Sequence, residues 1–593
     1  MVPVLRVLRM GQGALLLQCD SLAQVMALQA LLRADTPVDT RADATAAGSR
    51  FSGVQDVVAA ARTVLVRCDS PSTLARVKRL VLEARLPEQA AATGAVHTLE
   101  TIYDGADLED AARLAGMGSE TLLGWHSGQD WVAAFGGFAP GFMYLTPMDR
   151  AVSIPRRATP RTVVPAGSVA VAGELSAVYP GPTPGGWQLL GRCADALWDA
   201  ARTVPALIQP GDTVRFTPVR ALIELAPSPA PKLGAAVLTA PAPTAESTGS
   251  SEAEHGLHVL AAGMFTTVQD LGRPGFAHLG VTASGALDRA ALRRANRMVG
   301  NNTGTAVAND MAGVAAGTPG TAGAAGAAGL ETVLAGLRLK AAGTHVLAVA
   351  GGPVALLLED ATGAERSVPL DAPFVLRDGE TVSLLPARGD GGFRSYVAVR
   401  GGIELPPVLG SRATDVLSGL GPAPLQPGMF LPVAPARLGS IVGFPEAAPP
   451  SPQDCTVLRY LPGPRQDWFA PHSLDAFERQ EWGVDGQSNR IGLRLLGTPL
   501  VRAGANRTDP DRHTEPTPAA ELPSEGMVEG ALQVPPSGLP VLFLADHPVT
   551  GGYPVLGVVL AEDLGKAAQL SPGARVRFSK VGFSKVPHSL EAG

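Results

Sequence analysis

Alternating apolar and polar positions, bounded by glycine and proline, occur in the same order near the end of each half of this chain. In the front half, Gly167-Ser168-Val169-Ala170-Val171 precedes Gly185-Gly186-Trp187-Gln188-Leu189-Leu190-Gly191 and then Pro210-Gly211-Asp212-Thr213-Val214-Arg215-Phe216. In the back half, Gly530-Ala531-Leu532-Gln533-Val534 precedes Gly551-Gly552-Tyr553-Pro554-Val555-Leu556-Gly557 and Pro572-Gly573-Ala574-Arg575-Val576-Arg577-Phe578. A period of two between turn residues suits half-buried strands. Each copy therefore reads as strand, Gly-Gly turn, strand, Pro-Gly turn, strand. Two related β-rich modules are expected, with an active surface shared between the halves.

The front half opens on a different rhythm. Segments 13–18 and 62–67 read as strands, while 20–33 and 72–84 carry apolar residues three and four apart, as helices do. Ser21 and Ser70 can cap those helices, and Asp107 to Leu114 opens another. In the back half, Ser284 can cap a helix whose apolar face is Leu287, Ala291, Ala295, Met298 and Val299, ended by Gly300. Its other face carries Asp288, Arg289, Arg293, Asn296 and Arg297.

At 593 residues the chain exceeds what one core usually serves. The Ala/Pro/Ser/Thr-rich run 226–255 reads as a linker, since it cannot bury enough apolar surface to offset its ordering entropy. It separates an α+β subdomain (1–95) and a barrel (96–225) from a back half (256–582). The Ala/Gly run 311–329 reads as a surface insertion and 505–523 as a loop. The fold class expected is mainly β with α+β parts. Glycine (69) and proline (52) supply turns about every ten residues, which favours barrels over helical bundles. A net charge of −6 offers no footprint for nucleic acid. Cys19, Cys68, Cys193 and Cys455 are scattered, so neither a disulfide scaffold nor a zinc or other metal site is expected. With no apolar run of membrane-span length and no leader pattern, a cytoplasmic protein without membrane contact is expected.

The densest candidate for chemistry is Phe135-Gly136-Gly137-Phe138-Ala139-Pro140-Gly141-Phe142. Its glycines let backbone approach a ligand closely, or equally mark a tight barrel corner. Arg156, Arg157 and Arg161 follow, and three arginines between prolines suit a carboxylate or phosphate. The back half offers Gln269, Asp270 and Arg273 before a Pro-Gly turn, Arg400 after a strand, and Gln487, Asn489 and Arg490 before another. Asp546 and His547 lead into Gly551, Gly552 and Tyr553. Asp546 reads as a general base or as a turn residue, and His547 as titratable or structural. There is no GxxxxGK[ST] loop, GxSxG elbow, HExxH or Met-Lys-Met biotin site.

These residues carry a resemblance. GFAPGFMYL, PRRATPR, VPAGSVAVAG and YPGPTPGGWQLLGR resemble the first of the two allophanate-hydrolase-type subunits, also called kinase-inhibitor-type or the 5-oxoprolinase B-type subunit. TTVQDLGRPGFAHLGVTASGALDRAALRRANRMVGN, RSYVAVRGGI, GSRATD, LPGPRQDWF, QSNRIGLRL, EGALQVPP and ADHPVTGGYPVLGVV resemble the second, or 5-oxoprolinase C-type, subunit. The same pair forms the carboxyltransferase part of urea carboxylases. The sequence departs from the family's usual pattern at Glu174, Cys193 and the Ala/Gly run.

The resemblance implies cyclophilin-like barrels and a component of an ATP-dependent 5-oxoprolinase. This component would use ATP with magnesium and work with a separate A-type, lactam-utilisation subunit on a small cyclic amide. It further implies anion holding by Arg156, Arg157 and Arg161, and close backbone approach by Gly137, Pro140 and Gly141. Gly186 and Trp187 would contribute to substrate binding. Gln269, Asp270, Arg273 and Asp546 would be catalytic. Arg400, Gln487, Asn489, Arg490, Gln533, Gly551, Gly552 and Tyr553 would line the second face. The alternatives are biotin-dependent carboxyl transfer to urea or another amide, and a regulatory binder of a sensor kinase.

Overall fold

In this computed structural model, residues 6–34, 50–86, 94–157, 159–220, 255–304, 325–387, 392–447, 454–503 and 522–582 are described. The linker, apart from His255, and most of the Ala/Gly run and the 505–523 loop lie outside them.

The duplicated pattern folds into two closed seven-stranded barrels. The front barrel takes Val96–Ile102, Trp131–Gly136, Met143–Pro147, Ser168–Ala172, Leu175–Val178, Gln188–Cys193 and Thr213–Pro218. The back barrel takes Cys455–Pro462, Trp482–Val484, Gly492–Leu496, Ala531–Gln533, Val541–Phe543, Val555–Val559 and Arg575–Lys580. With each barrel's strands counted in chain order, both rings run 5-3-2-7-1-6-4. The first and last strands pair in parallel in both, Val96 opposite Thr213 and Cys455 opposite Arg575. Even the register slip repeats: it falls between Leu189 and Gly191 in front and between Leu532 and Gln533 behind, leaving Leu190 and Leu556 as the extra residues. The Pro-Gly turn of the back copy is preceded by a helix, Ala561–Ala568, that its pattern did not announce.

Between the barrels in sequence lie a six-stranded and a five-stranded antiparallel sheet. Their inner faces share a core that includes Leu257, Val268, Leu339, Leu356 and Val397. Helix Arg289–Met298 packs on strands His345–Gly351 and Arg394–Val399. Its N-cap is Asp288, whose carboxylate accepts from the Ala291 N–H at 2.9 Å. Ser284 is not the cap: it lies four residues earlier with φ +54° and turns its hydroxyl elsewhere. The face read as polar is partly buried, since Asn296 donates to the Ala327 carbonyl. The end of the Ala/Gly run is not a surface insertion either. Ala325 and Ala328 are buried, and Gly329 starts the strand Gly329–Val333.

The N-terminal subdomain is a four-stranded sheet with helices Leu22–Ala34 and Pro71–Glu83. Ser70 caps the second helix by accepting from the Thr73 N–H. The first four positions of Ala14–Gln18 are all buried, because both faces of the sheet are covered. Leu15, Leu17, Val64 and Val66 face the subdomain's own helices and join a core that runs on into the front barrel. Met10, Leu16, Val58 and Leu65 pack with Met527, Phe543, Val555 and Val558 of the back barrel. Asp56, at this junction, accepts from the N–H groups of Gly275 (3.0 Å) and Ala277 (3.3 Å) in the back half. The subdomain thus holds the two halves together.

Candidate functional site

The loop after strand Trp131–Gly136 meets the back half directly. The Gly141 N–H donates to the Leu279 carbonyl at 2.9 Å. A side chain at Gly137 would have its Cβ 2.9 Å from the Thr550 hydroxyl, so the absence of one lets the Thr550 side chain pack against this loop. Phe138, between them, sits at φ +66° and is 39% exposed. A strained, exposed aromatic of this kind is unusual and marks ligand surfaces more than cores. Tyr144, buried in the same mouth, lies close enough to the Thr550 side chain for it to act on the phenol across the halves. Burial pushes its phenol up to about 12, while the Arg156 charge opposes the shift. Tyr179 lies alongside, with its ring 5.2 Å from that of Phe142 and both Arg156 and Arg161 close enough to act on its phenol. Trp187 stacks edge-on to Phe142 at 5.7 Å, and the Gly186 carbonyl accepts from the Arg157 N–H at 2.8 Å. Pro140 is buried in the loop.

The three arginines do not act alike. Arg157 (2.5 Å) and Arg161 (2.7 Å) both donate to one oxygen of Asp107, whose other oxygen accepts from the Leu189 N–H. Burial alone would raise the Asp107 carboxyl, but these donors and charges hold it below its ordinary value. Asp107 precedes helix Leu108–Leu114 as its cap residue, yet its side chain makes no cap bond. Arg156 is exposed and, among the described residues, has no carboxylate partner. Two guanidinium groups therefore face one carboxylate, and Arg156 acts on the neighbouring Tyr144 and Tyr179 phenols instead. The Arg157 Nε and an Arg161 Nη are buried without an acceptor. Such a mouth fits a phosphate or a carboxylate group.

The second face is a buried ionic network. Arg490 donates through Nε to Asp546 at 2.9 Å and through Nη2 to its other oxygen at 3.1 Å. Its remaining nitrogen pairs with Glu331, and Nη2 also reaches the Gly285 carbonyl at 2.7 Å. Asp546 further accepts from the Ser284 hydroxyl (2.6 Å) and the Val416 N–H (3.0 Å). Glu331 accepts from Tyr396 at 2.8 Å. Burial would favour a neutral Arg490, but Asp546 and Glu331 outweigh it and raise its pKa. Arg490 forms part of the lining of a cavity of 760 Å³ with Asp415, Asn489, Met264, Phe265 and Pro422. Asp415 is held protonated to higher pH by burial and by the neighbouring Asp546 charge. Thr550 lies four residues beyond Asp546, so one short segment touches both faces.

The other expected site residues make contacts within the chain as follows. Gln269 donates to Thr267 and the Thr414 carbonyl, with its own oxygen unpartnered among the described residues. Asp270 ties Gly272, Ser411 and Arg412 together, and burial raises its carboxyl. Arg273 donates to the carbonyls of Val408 and Ala413. Both are about 1% exposed, so neither presents a reacting atom to solvent. Arg400 is apart from both faces, anchoring Val299 and Ser440 carbonyls. The Gln487 N–H closes a turn onto Asp485, and Asn489 accepts from the Ile491 N–H at 2.9 Å. Gln533 donates to the Tyr553 carbonyl at 3.2 Å and sits against Gly551, beside Gly552. Tyr553 is exposed and His547 is buried, its proton affinity lowered by desolvation. Glu174 is exposed at a hairpin turn and Cys193 is buried. Among the described residues no group of three or more His, Cys, Asp or Glu is placed to hold a metal, and no helix is long and apolar enough to cross a membrane.

Two fused units with matching barrels and a mouth between them define the carboxyltransferase-domain class, and the chain belongs to that family. Residues 5–208 match the carboxyltransferase domain, subdomains C and D, and residues 321–580 match subdomains A and B. The back half is 35% identical over 332 residues to the 5-oxoprolinase C-type subunit of Escherichia coli strain K12, covering 54% of this chain and 90% of that protein. The front half is 45% identical over 123 residues to the 5-oxoprolinase B-type subunit of Escherichia coli O157:H7, covering 20% of this chain and 56% of that protein. Urea amidolyase of Lachancea kluyveri is 28% identical over 343 residues, 55% of this chain and 17% of that much longer protein. The crystal structure of TTHA0988 superposes with a TM-score of 0.72 at 31% identity, covering 95% of this chain and 99% of that one.

Proposed function

We propose that this chain is a fused B–C component of an ATP-dependent 5-oxoprolinase, acting on a small cyclic amide with a separate A-type subunit. The observation that supports this reading most is the coverage: one polypeptide resembles the B-type 5-oxoprolinase component in front and most of the C-type component behind. The packing of Gly137 and Tyr144 against Thr550 makes the two parts one surface.

In this reading Arg156, Arg157 and Arg161 hold the anionic group of the bound molecules, and Tyr144, Tyr179 and Trp187 form an apolar wall that keeps water from it. The 136–141 loop brings backbone close to the amide. Developing charge on a lactam oxygen requires fixed N–H or hydroxyl donors, and in this reading the Thr550 hydroxyl, beside Gly137, supplies one. Arg490, neutralised by Asp546 and Glu331, does not hold an anion: with Ser284 it fixes the 546–550 segment. Asp546, with both oxygens engaged, is thus a positioning residue. ATP with magnesium, when bound, supplies the phosphoryl group that activates the amide carbonyl.

The experiment is turnover of 5-oxo-L-proline to glutamate by the full chain with ATP and a 5-oxoprolinase A-type subunit. Glutamate formed only with all components present is the expected result. The resemblance to urea amidolyase supports a second reading, carboxyl transfer from a biotinylated carrier. Urea-dependent carboxylation with such a carrier, and no glutamate formation, would favour it instead.

A further inference from the structure

The internal repeat places an ion pair at the same point in both barrels, with the charges exchanged. Arg161 lies opposite Gly185 in the front two-stranded ribbon, and Glu525 lies opposite Gly551 in the back one. Gly185 and Gly551 begin the equivalent Gly-Gly turns, so Arg161 and Glu525 are counterparts. Their partners are counterparts too: Asp107 donates its N–H to the Leu189 carbonyl and Arg465 to the Val555 carbonyl, at matching places on the sixth strand. The front barrel thus pairs Asp107 with Arg161 where the back barrel pairs Arg465 with Glu525.

The two sites differ in what covers them. At the back, Arg465 spends Nε and Nη2 on Glu525 and Nη1 on Gln18 of the N-terminal sheet. Leu65 of that sheet lies over Gly526, and the Ala61 N–H donates to the Ser524 carbonyl. Met527, two residues beyond Glu525, is 3% exposed, while its counterpart Val163 is 61% exposed. The front mouth has no such cover among the described residues. It holds one guanidinium more than its back counterpart at the carboxylate, since Arg157 joins Arg161, and Arg156 stands beside them. Two buried donors there, the Arg157 Nε and an Arg161 Nη, lack acceptors. A buried donor left unpaired is destabilising, and a group that only accepts removes that penalty.

We infer that the front mouth is an oxyanion-binding site, one per chain, built around Arg157 and Arg161, whereas its back counterpart is a structural seat for the N-terminal subdomain. The ligand group is a tetrahedral phosphate or a planar carboxylate. This deepens the functional reading above by placing the anionic end of a ligand, and it stands or falls separately from that reading.

The test is calorimetric titration of the full chain with inorganic phosphate, 5-oxo-L-proline and ATP in separate arms. At least one probe binds one per chain, and Arg161→Gln and Arg157→Gln each weaken it tenfold or more. Binding of phosphate and ATP identifies a phosphoryl group as the source, and binding of 5-oxo-L-proline alone identifies the carboxylate. The double variant Asp107→Arg, Arg161→Glu rebuilds the back-barrel arrangement at unchanged net charge, and it loses binding while unfolding near the parent's temperature. Saturation by none of the three probes, two ions per chain, or affinity unchanged in both single variants would overturn the inference. Absence of 5-oxoproline turnover alongside intact, arginine-dependent anion binding would instead count only against the proposed enzyme.

Discussion

Trp131 and Trp482 are counterparts in the two barrels, and each donates its indole N–H to a carbonyl five residues upstream. The acceptors are His126 at 2.9 Å and Phe477 at 3.2 Å. The rings at 126 and 477 each pack on the last strand's phenylalanine, Phe216 at 4.4 Å and Phe578 at 4.7 Å. The front barrel therefore keeps a histidine where the back keeps a phenylalanine. His126 bonds Tyr103 and Ser176, each at 2.8 Å.

A pH dependence of stability follows. Burial lowers the His126 pKa from 6.5 to about 3, and the same cause lowers His278 to about 3. A depressed folded-state value means that the stabilisation is present above 6.5 and is lost as pH falls towards 3. Each histidine contributes a slope of about 1.4 kcal/mol per pH unit across that window. His126→Phe should reduce the slope by about one histidine's share, measured by urea unfolding at several pH values. An unchanged slope would contradict the assignment.

Glu525→Gln should destabilise the chain by about 3 kcal/mol, because removing one member of a buried pair leaves the other charge uncompensated. The Arg465 and Glu525 side chains are 10% and 3% exposed. Arg161→Gln should cost about 1 kcal/mol or less, as Arg157 still neutralises Asp107 and the site is partly solvated. Denaturant unfolding of the two variants gives the comparison, and equal losses would show that the front pair is equally structural.

Arg490→Gln should be more damaging than either, by about 3–5 kcal/mol. It leaves buried Asp546 without its cation and buried Glu331 with only the Arg394 guanidinium, 3.8 Å away. Asp546→Asn keeps the Glu331 pairing and should lower kcat with a smaller loss of stability. If Asp546→Asn left kcat unchanged, the 546–550 segment would not need its anchor.

Much of the fold is legible in the sequence, because turn chemistry and strand period recur in both halves. The spacing from Gly185 to Gly191 and from Gly551 to Gly557 predicts the two equivalent turns and strands, and the structure places the extra Leu190 and Leu556 at the same point of each. The site is less so. The arginine cluster and the Gly-rich loop are visible as local motifs, and the structure brings them to one mouth. Asp107 reads as a helix opening, yet it neutralises two arginines about fifty residues away, a contact that no local pattern encodes. Thr550 carries no signal of its own beside Gly551, nor does Asp415 at the end of GSRATD. Gln269, Asp270 and Arg273 have the residue types of a catalytic site, but their hydrogen bonds go to carbonyls and N–H groups of the 408–414 loop. Ser284 reads as a cap and is not one, because a serine before an apolar run has the same signature whether its hydroxyl turns to the helix or to Asp546.

Asp56 should govern docking of the halves. It accepts from Gly275 and Ala277 just before Leu279, whose carbonyl holds the Gly141 N–H. Burial raises its carboxyl above the ordinary range, against the Arg67 charge and these two donors. With the linker cut, Asp56→Ala should weaken association of the two halves tenfold or more by analytical ultracentrifugation, equivalent to about 1.4 kcal/mol. Association at the parent's affinity would show that the apolar contacts of Leu65 and Met10 suffice.

We propose one active surface assembled from both halves, with Gly137 and Tyr144 on one side and Thr550 on the other. The direct measurement is 5-oxoproline turnover, with ATP and an A-type subunit, by a chain carrying a protease site within residues 226–255. After cleavage the mixed halves should retain most of the activity at high concentration and lose it on dilution, and each purified half should be inactive. Full turnover by either half alone would contradict a shared site.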